Sequence, residues 1–206
     1  MASTFGDGAD LPIASMELHA VRGSADNEAA EDARLVTAAR SGDRAAFGCL
    51  YDRFAPMVHG ILLARVPLSE VDDLVHDVFL HAMPRLHSLR DIGRFGPWLA
   101  AITRNRANDY YRQSVPEVEL AEDLPEDAVE GRARIAPDAE AVAILAVIQE
   151  LPETYRETLL LRLVEGMTGP EIAARIGLTH GSVRVNLHRG MQLLREKLQL
   201  GKKYRE

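Results

Sequence analysis

The chain has 206 residues, of which 27% are charged and 47% are hydrophobic, as in an ordinary globular protein long enough for two small domains. No apolar run approaches the roughly 20 residues that a membrane-spanning helix needs, and the N-terminus lacks the basic and apolar segments of a secretory signal. We therefore expect a cytoplasmic protein with no membrane insertion. The formal net charge of -7 would argue against nucleic-acid binding if the charges were evenly spread.

The charges are not evenly spread along the chain. Residues 1–33 carry seven acids and one arginine, and residues 113–140 carry nine acids and two arginines. Residues 175–205, in contrast, hold eight arginines and lysines and a single glutamate. Such a basic C-terminal segment is suited to binding phosphates.

The N-terminal part of the chain is predicted to begin with an extension and continue as helices. Residues 1–30 show no sustained apolar period and are predicted to be flexible. Helical patterning follows, with Asp43 expected to cap a second helix and Pro56 expected to kink or interrupt it. The single cysteine, Cys49, can form no internal disulfide and is predicted to lie on the buried face of that helix.

A strongly amphipathic helix is predicted after Pro67. Ser69 and Asp72 have the spacing of a capping box at its start. Apolar residues then recur at helical intervals, at Val71, Leu74, Val75, Val78, Phe79 and Ala82. A loop leads to a further helix with Pro97 in its first turn. The first domain is accordingly predicted to span residues 31–112.

The second half is predicted to hold a linker and another helical domain. Residues 113–138 are rich in prolines and acids, which indicates a solvated linker. A helical domain is predicted at residues 139–200, followed by a basic tail at 201–206. Because no segment alternates like a strand, the predicted fold class is all-α, with two small helical domains joined by an acidic linker.

The C-terminal domain has the pattern of a helix-turn-helix. Thr168 and Glu171 have capping-box spacing for a short helix, Gly177 should end it, and Thr179 can cap the next helix. The inward face of that longer helix is predicted to consist of Val183, Leu187, Met191, Leu194 and Leu198. A short helix, a glycine turn and a longer helix with a polar, basic outer face is the arrangement that enters the major groove of DNA.

Side-chain chemistry suggests how this outer face would contact DNA. Arg189 can donate two hydrogen bonds to guanine, Asn186 can pair with adenine, and Val185 can touch a thymine methyl group. Arg184 and Arg195 suit phosphates. The same spacing also fits a helical hairpin with a solvated basic face, but the tight turn and the lack of acids on the outer face favour DNA. The predicted DNA-binding residues are Thr179, His180, Ser182, Arg184, Val185, Asn186, Arg189 and Arg195.

Three stretches together resemble the extracytoplasmic-function (ECF) group of sigma-70 type RNA polymerase sigma factors, over about residues 31–198. They are DDLVHDVFLHA, FGPWLAAITRNRANDYYR and LPETYRETLLLRLVEGMTGPEIAARIGLTHGSVRVNLHRGMQLLREKL, and their order is more specific than any one of them. The chain departs from the group's usual pattern at His76, at Met83 and Pro84, and at Val185 and Asn186. The resemblance implies an alternative sigma factor that binds core RNA polymerase and promoter DNA and directs transcription initiation, without a cofactor or a small-molecule substrate.

The resemblance also implies residue roles in the first domain. The helix after Pro67 would bind the polymerase, through Asp72, Asp73, Leu74, Val75, Asp77, Val78 and Phe79. The minus 10 element would be held by Arg90, Arg94, Trp98, Arg104, Asn105, Arg106 and Asn108, and the helix-turn-helix would bind the minus 35 element. In a purely structural interpretation, the first two aspartates favour a helix N-terminus, while Leu74, Phe79 and Trp98 belong to the core.

Three other classes of protein were weighed. A sigma-like mimic that sequesters an anti-sigma factor would lose the basic residues of the recognition face, which this chain keeps. A helix-turn-helix repressor would leave the first domain unexplained. An enzyme is poorly supported, because the histidine spacings match no zinc site, there is one cysteine, and no phosphate-binding glycine loop or nucleophile elbow is present. An anti-sigma factor is an expected partner from the resemblance alone.

Overall fold

The computed structural model describes residues 13–114 and 139–203, with side chains described over 27–112 and 141–199. Every regular element in these ranges is helical, which confirms the all-α fold class. Most of the predicted acidic linker, residues 115–138, lies outside the described residues. The α-helices are α1 Ile13–Arg40, α2 Arg44–Leu63, α3 Val71–Ala82, α4 Phe95–Ser114, α5 Ala139–Gln149, α6 Glu153–Leu163, α7 Gly169–Ile176 and α8 His180–Lys203.

Helix α1 begins earlier than the sequence pattern indicated. The prediction that residues 1–30 form a flexible extension is wrong from Ile13 onward, where the chain is already helical; residues 1–12 lie outside the described residues. The segment is rich in alanine and glutamate, which favour helix without needing a continuous apolar face. Among the described side chains of α1, residues 27–40, Val36 is completely buried, and there the helix packs on α2.

Helix α2 confirms one sequence prediction and contradicts two others. Asp43 caps it as predicted, because its carboxylate accepts hydrogen bonds from the backbone N–H groups of Ala45 and Ala46. Pro56 does not interrupt the helix, which continues on both sides. Cys49 is exposed rather than buried, because it lies to the side of the buried stripe of α2, which includes Ala46, Leu50, Phe54, Met57 and Ile61.

Helix α3 buries the apolar face that the spacing predicted. Its buried residues are Val71, Leu74, Val75, Val78, Phe79 and Ala82. Before the helix, the hydroxyl of Ser69 donates to the Glu70 carboxylate within a short 3-10 turn, Leu68–Glu70, and Glu70 makes no side-chain cap to α3. Two further 3-10 turns, Met83–Ser88 and Ile92–Arg94, lie where a loop toward α4 was expected.

Helices α5 to α8 form the predicted helix-turn-helix domain. The backbone N–H of Thr168 donates to the Glu171 carboxylate, and the backbone N–H of Glu171 donates back to the Thr168 hydroxyl, which completes a capping box at α7. Gly177 ends α7 in the left-handed conformation at φ +76°, where a side chain would be strained. Helix α8 continues to Lys203, so the predicted domain end at residue 200 falls within a helix.

The two halves of the chain pack against each other. Helix α2 lies on α6 and α4 lies on α7, and the buried side chains of both halves belong to one cluster. The approach is close at two glycines. A Cβ at Gly60 would lie 2.8 Å from Leu161 Cδ2, and a Cβ at Gly96 would lie 2.8 Å from the backbone oxygen of Arg175. We call this packing of α2 and α4 on α6 and α7 the closed arrangement.

Candidate DNA and polymerase interfaces

Helix α8 presents the predicted DNA-binding residues on one side. Val183, Gly190 and Leu194 are buried and fix its rotation, with Gly190 so close to Leu159 that a Cβ would lie 3.0 Å from its side chain. Asn186 is half-buried, whereas the other predicted residues are exposed: Thr179, His180, Ser182, Arg184, Val185, Arg189 and Arg195. The face that the periodicity predicted is therefore the solvent-facing side of the helix.

The beginning of α8 is well ordered for contact with an anion or a base edge. The Thr179 hydroxyl accepts a hydrogen bond from the backbone N–H of Ser182, and the two hydroxyl oxygens lie 2.8 Å apart. A helix N-terminus carries partial positive charge, which attracts phosphates. One turn further on, a shallow surface cleft is lined by Arg184, Val185, His188 and Arg189.

The arginines of this face have no internal acidic partner in the described part of the chain. Among the side chains of residues 27–112 and 141–199, no salt bridge engages Arg184, Arg189 or Arg195. Guanidinium groups on an exposed helix face that have no carboxylate partner among the described side chains are available to phosphates and to guanine.

The predicted minus 10 residues fall into two groups. Four are exposed on the surface of α4 and the turn before it: Arg90, Arg94, Asn105 and Asn108. Trp98 is half-buried, with its ring centroid 5.8 Å from that of Phe95, so it belongs largely to the packing of α4 on the core. Arg106 is half-buried and lies 3.0 Å from the Asp77 carboxylate on α3.

Arg104 is engaged by the other half of the chain. Its Nε lies 3.1 Å from Glu157 Oε2, and its Nη2 reaches the other carboxylate oxygen. The hydrogen bonds to Glu157 raise the pKa of Arg104 above its ordinary value. Arg65, which sequence reasoning missed, donates to the same carboxylate over 3.0 Å. No local pattern marks Arg65, because its partner is 92 residues away in the sequence.

Helix α3 divides the predicted polymerase-binding residues in the same way. Leu74, Val75, Val78 and Phe79 are buried in the core, so in this structure they hold the helix in place and offer no contact surface. Asp72 is half-buried, and Asp73 and Asp77 are exposed.

The outer face of α3 also carries residues that were not singled out for the polymerase. His76 is exposed, and Leu80 is 69% exposed, the most of the described large hydrophobic residues. Met83, just after the helix, is 44% exposed. Leu80 lies three residues beyond Asp77 and outside the buried stripe, a spacing that could have indicated an exposed apolar contact.

Comparisons with known proteins agree with this division of the chain. The family model "Sigma-70 region 2" matches residues 50–115, and "Sigma-70, region 4" matches residues 141–194. The ECF sigma factor SigD of Mycobacterium tuberculosis is 34% identical over 174 residues, which cover 80% of this chain and 82% of SigD. This chain belongs to the ECF sigma factors. BldN of Streptomyces coelicolor, also an ECF sigma factor, is 30% identical over 185 residues, covering 84% of this chain and 68% of BldN.

Solved structures extend the likeness to three dimensions. CnrH, in complex with the cytosolic domain of CnrY, is 28% identical with a TM-score of 0.59, covering 82% of this sigma factor and 98% of CnrH. The sigma factor RpoE of Bartonella quintana, in complex with the anti-sigma factor NepR, is 19% identical with a TM-score of 0.50, over 74% of this sigma factor and 96% of RpoE. The latter supports the fold alone.

Family membership confirms the expected function at the level of the whole chain. The protein is a sigma factor that directs transcription initiation by RNA polymerase, and this interpretation is favoured over the anti-sigma mimic. In the described ranges, no helix is long and apolar enough to cross a membrane. The same ranges hold no group of three or more histidine, cysteine or acidic residues arranged to bind a metal.

Proposed function

We propose that the three exposed surfaces of this sigma factor divide its work. The outer face of α3 binds core RNA polymerase, the surface of α4 and the preceding turn holds the minus 10 strand, and α8 reads the minus 35 duplex. The single observation that carries the proposal is the exposed basic face of α8, whose arginines have no salt bridge among the described residues.

On α8, base contacts and phosphate contacts would come from different residues. Arg189 and Val185 are exposed beside each other in one cleft, so a guanine and a thymine methyl group can be read together. Asn186 is half-buried and would reach adenine from the edge of the face. Arg184 and Arg195 flank this group and would hold phosphates, assisted by the helix N-terminus at Thr179 and the neighbouring polar side chains of His180 and Ser182.

On α4, an opened strand needs basic groups for its backbone and polar or aromatic groups for its bases. Arg90 and Arg94 are exposed before the helix and would hold phosphates. Asn105 and Asn108 lie one helical turn apart on its exposed side and would contact bases. Trp98 would contribute mainly by positioning α4, while Arg104 and Arg106 would reach DNA only by exchanging their carboxylate partners.

On α3, Asp73, Asp77 and Leu80 form an exposed row at helical spacing, with His76 beside them. An acidic row around one exposed leucine suits a basic and partly apolar protein surface better than it suits DNA. Asp72 lies at the edge of this row. Leu74, Val75, Val78 and Phe79 would keep the row in register from the core side.

The expected partners are core RNA polymerase, promoter DNA and an anti-sigma factor. CnrH, which is 28% identical to this chain, was solved in complex with the cytosolic domain of CnrY. We extend that mode of control to this chain, which would act in the cytoplasm, where polymerase works.

Run-off transcription tests the assignment. Core polymerase with this protein is incubated with a pool of promoter fragments, alongside an Arg184→Ala, Arg189→Ala double variant. The matched control is Arg34→Ala with Arg44→Ala, which removes the same charge from exposed positions on α1 and α2. We expect defined start sites for wild type and control and none for the α8 variant. If none of the proteins supports initiation although the wild type binds polymerase, the sigma-factor assignment is wrong and the chain is a mimic that sequesters an anti-sigma factor.

A further inference from the structure

Two arginines of the N-terminal half converge on one carboxylate of the C-terminal half. Arg65 Nη2 lies 3.0 Å from Glu157 Oε2, and Arg104 Nε lies 3.1 Å from the same oxygen. The side chain of Glu157 is 8% exposed, that of Arg65 is 13% exposed, and that of Arg104 is 30% exposed. The carboxylate is thus enclosed by two guanidinium groups with little water between them.

The backbones of the two arginines belong to the N-terminal half of the chain. Arg65 follows the end of α2, and its backbone oxygen accepts a 2.7 Å hydrogen bond from the hydroxyl of Tyr111 on α4. Arg104 lies two turns before Tyr111 on α4 and next to Asn105, one of the proposed minus 10 residues. Their guanidinium groups therefore lie on the DNA-facing domain, whereas Glu157 arrives from α6.

The charges at this point are balanced by acids of the C-terminal half. Both guanidinium groups share Glu157, and Glu153, which is also on α6 and about half exposed, forms a second ion pair with Arg65. In addition, Arg65 Nε is buried without a hydrogen-bond partner in the described residues. Because both acids lie on α6, an arrangement in which α6 has moved away leaves the two guanidinium groups without these carboxylates and available to another anion.

A phosphodiester has the geometry that this pair of guanidinium groups recognises. Arginine binds carboxylate and phosphate by the same bidentate arrangement of N–H donors. We propose that Arg65 and Arg104 form a binding site for one backbone phosphate of the opened promoter strand, and that Glu157 fills this site in the closed arrangement. DNA and the C-terminal half then compete for the same two arginines. The proposal rests on the proposed function of α4. It adds Arg65 to the residues that bind the strand and adds a way in which the C-terminal half regulates that binding.

The first test removes the competitor. In the full-length protein, Glu157→Gln keeps the shape of the side chain and removes its charge. The probe is a fluorescein-labelled single-stranded DNA of mixed sequence, followed by fluorescence anisotropy over a series of salt concentrations. If the open arrangement is populated in about one molecule in ten, releasing the site raises the apparent affinity about tenfold. Unchanged affinity would overturn the competition.

The second test asks whether Arg65 itself holds a phosphate. Adding Arg65→Gln to Glu157→Gln should lower the affinity and reduce the slope of log K against log salt by about 0.7, the value for one phosphate of a single strand. Arg34→Gln in the same background removes an exposed arginine of α1 and should leave the slope unchanged. Arg65→Lys should retain most of the slope, which separates loss of charge from loss of folding.

The outcomes separate this proposal from the proposed function. If Glu157→Gln tightens binding but Arg65→Gln leaves the slope unchanged, the arginines serve only to hold the closed arrangement and the phosphate site is refuted. If run-off transcription fails for the wild type while both anisotropy results hold, the assignment of promoter elements is wrong and the competition for a DNA phosphate stands.

Discussion

Gly96 gives the sharpest test of the closed arrangement. It is a buried residue in the first turn of α4, and a Cβ there would lie 2.8 Å from the backbone oxygen of Arg175 and 3.2 Å from its Cα, where ordinary contact begins at 3.4 Å. Both atoms are backbone of α7 in the other half, so no side-chain rotation relieves the contact. Gly96→Ala should therefore move α4 away from α7.

The cost of this substitution can be bounded. Extra volume in a well-packed interior costs about 1–3 kcal/mol, and this cost falls on the closed arrangement alone. The gain from alanine in place of glycine in a helix is the same in the closed and open arrangements and leaves their ratio unchanged. A cost of about 1.4 kcal/mol corresponds to a tenfold change in an equilibrium constant. We expect the ratio of closed to open molecules to fall by about that factor. Gly48→Ala in α2 is the matched control, since a Cβ there meets no atom within 4 Å.

Resonance energy transfer measures the separation directly. The exposed native Cys49 carries one dye, and Gln192→Cys, an exposed position on α8, carries the other. Gly96→Ala should change the transfer efficiency, while Gly48→Ala should leave it unchanged and raise the urea midpoint. Equal transfer in both variants would refute the reasoning. A lower urea midpoint with unchanged transfer would instead place the strain on Phe54, whose ring carbon would lie 3.3 Å from the new Cβ.

Three further predictions concern the helix-turn-helix and α3. The backbone N–H of Thr168 donates to the Glu171 carboxylate and holds the pKa of Glu171 below its ordinary value. The ionised carboxylate therefore stabilises the folded chain above about pH 4.5, and this stabilisation is lost as the pH falls through the lower folded pKa. Glu171→Gln should remove this pH dependence when the urea midpoint is measured against pH. In DNA-binding assays, Arg189→Ala should make the binding free energy less favourable by about 1–3 kcal/mol on the preferred promoter only, whereas Arg195→Ala should weaken binding to all sequences alike. Leu80→Ala should weaken core-polymerase binding in a pull-down without lowering the urea midpoint, because its side chain is largely exposed.

Local features of the fold could be predicted from the sequence because their causes are local. The capping box of Thr168 and Glu171, the left-handed Gly177 and the inward face of α8 each depend on residues within a few turns of one another. The buried face of α3 follows from its 3.6-residue period in the same way. These are the elements that position the proposed minus 35 surface, so the exposure of that face could be predicted from the sequence, apart from the half-buried Asn186.

Features that depend on distant partners were predicted less well. The start of α1 was missed because a periodic apolar pattern marks helices that bury one face. A segment rich in alanine and glutamate can form a helix without such a pattern. Leu74 and Phe79 were predicted to contact the polymerase but are buried in the core. The resemblance indicated which helix binds the partner, but not which face of that helix is buried. Leu80 lies on the free face of that helix and was overlooked.

The charge distribution between the halves is the feature that only the structure could supply. Glu153 and Glu157 lie one helical turn apart on α6, but nothing in the sequence shows which surface that face meets. In the structure both meet Arg65, and Glu165 Oε1 lies 2.6 Å from His59 Nδ1.

Because these acids face the N-terminal half, they neutralise arginine there and leave α8 basic. In the closed arrangement the recognition residues Arg184, Arg189 and Arg195 remain exposed, while Arg104 on the proposed minus 10 surface is paired. The two proposed DNA surfaces are thus unequally available before polymerase binds. The affinity of α8 for duplex DNA should therefore change little when the closed arrangement opens. The affinity for a single strand should rise only when α6 moves away from α4.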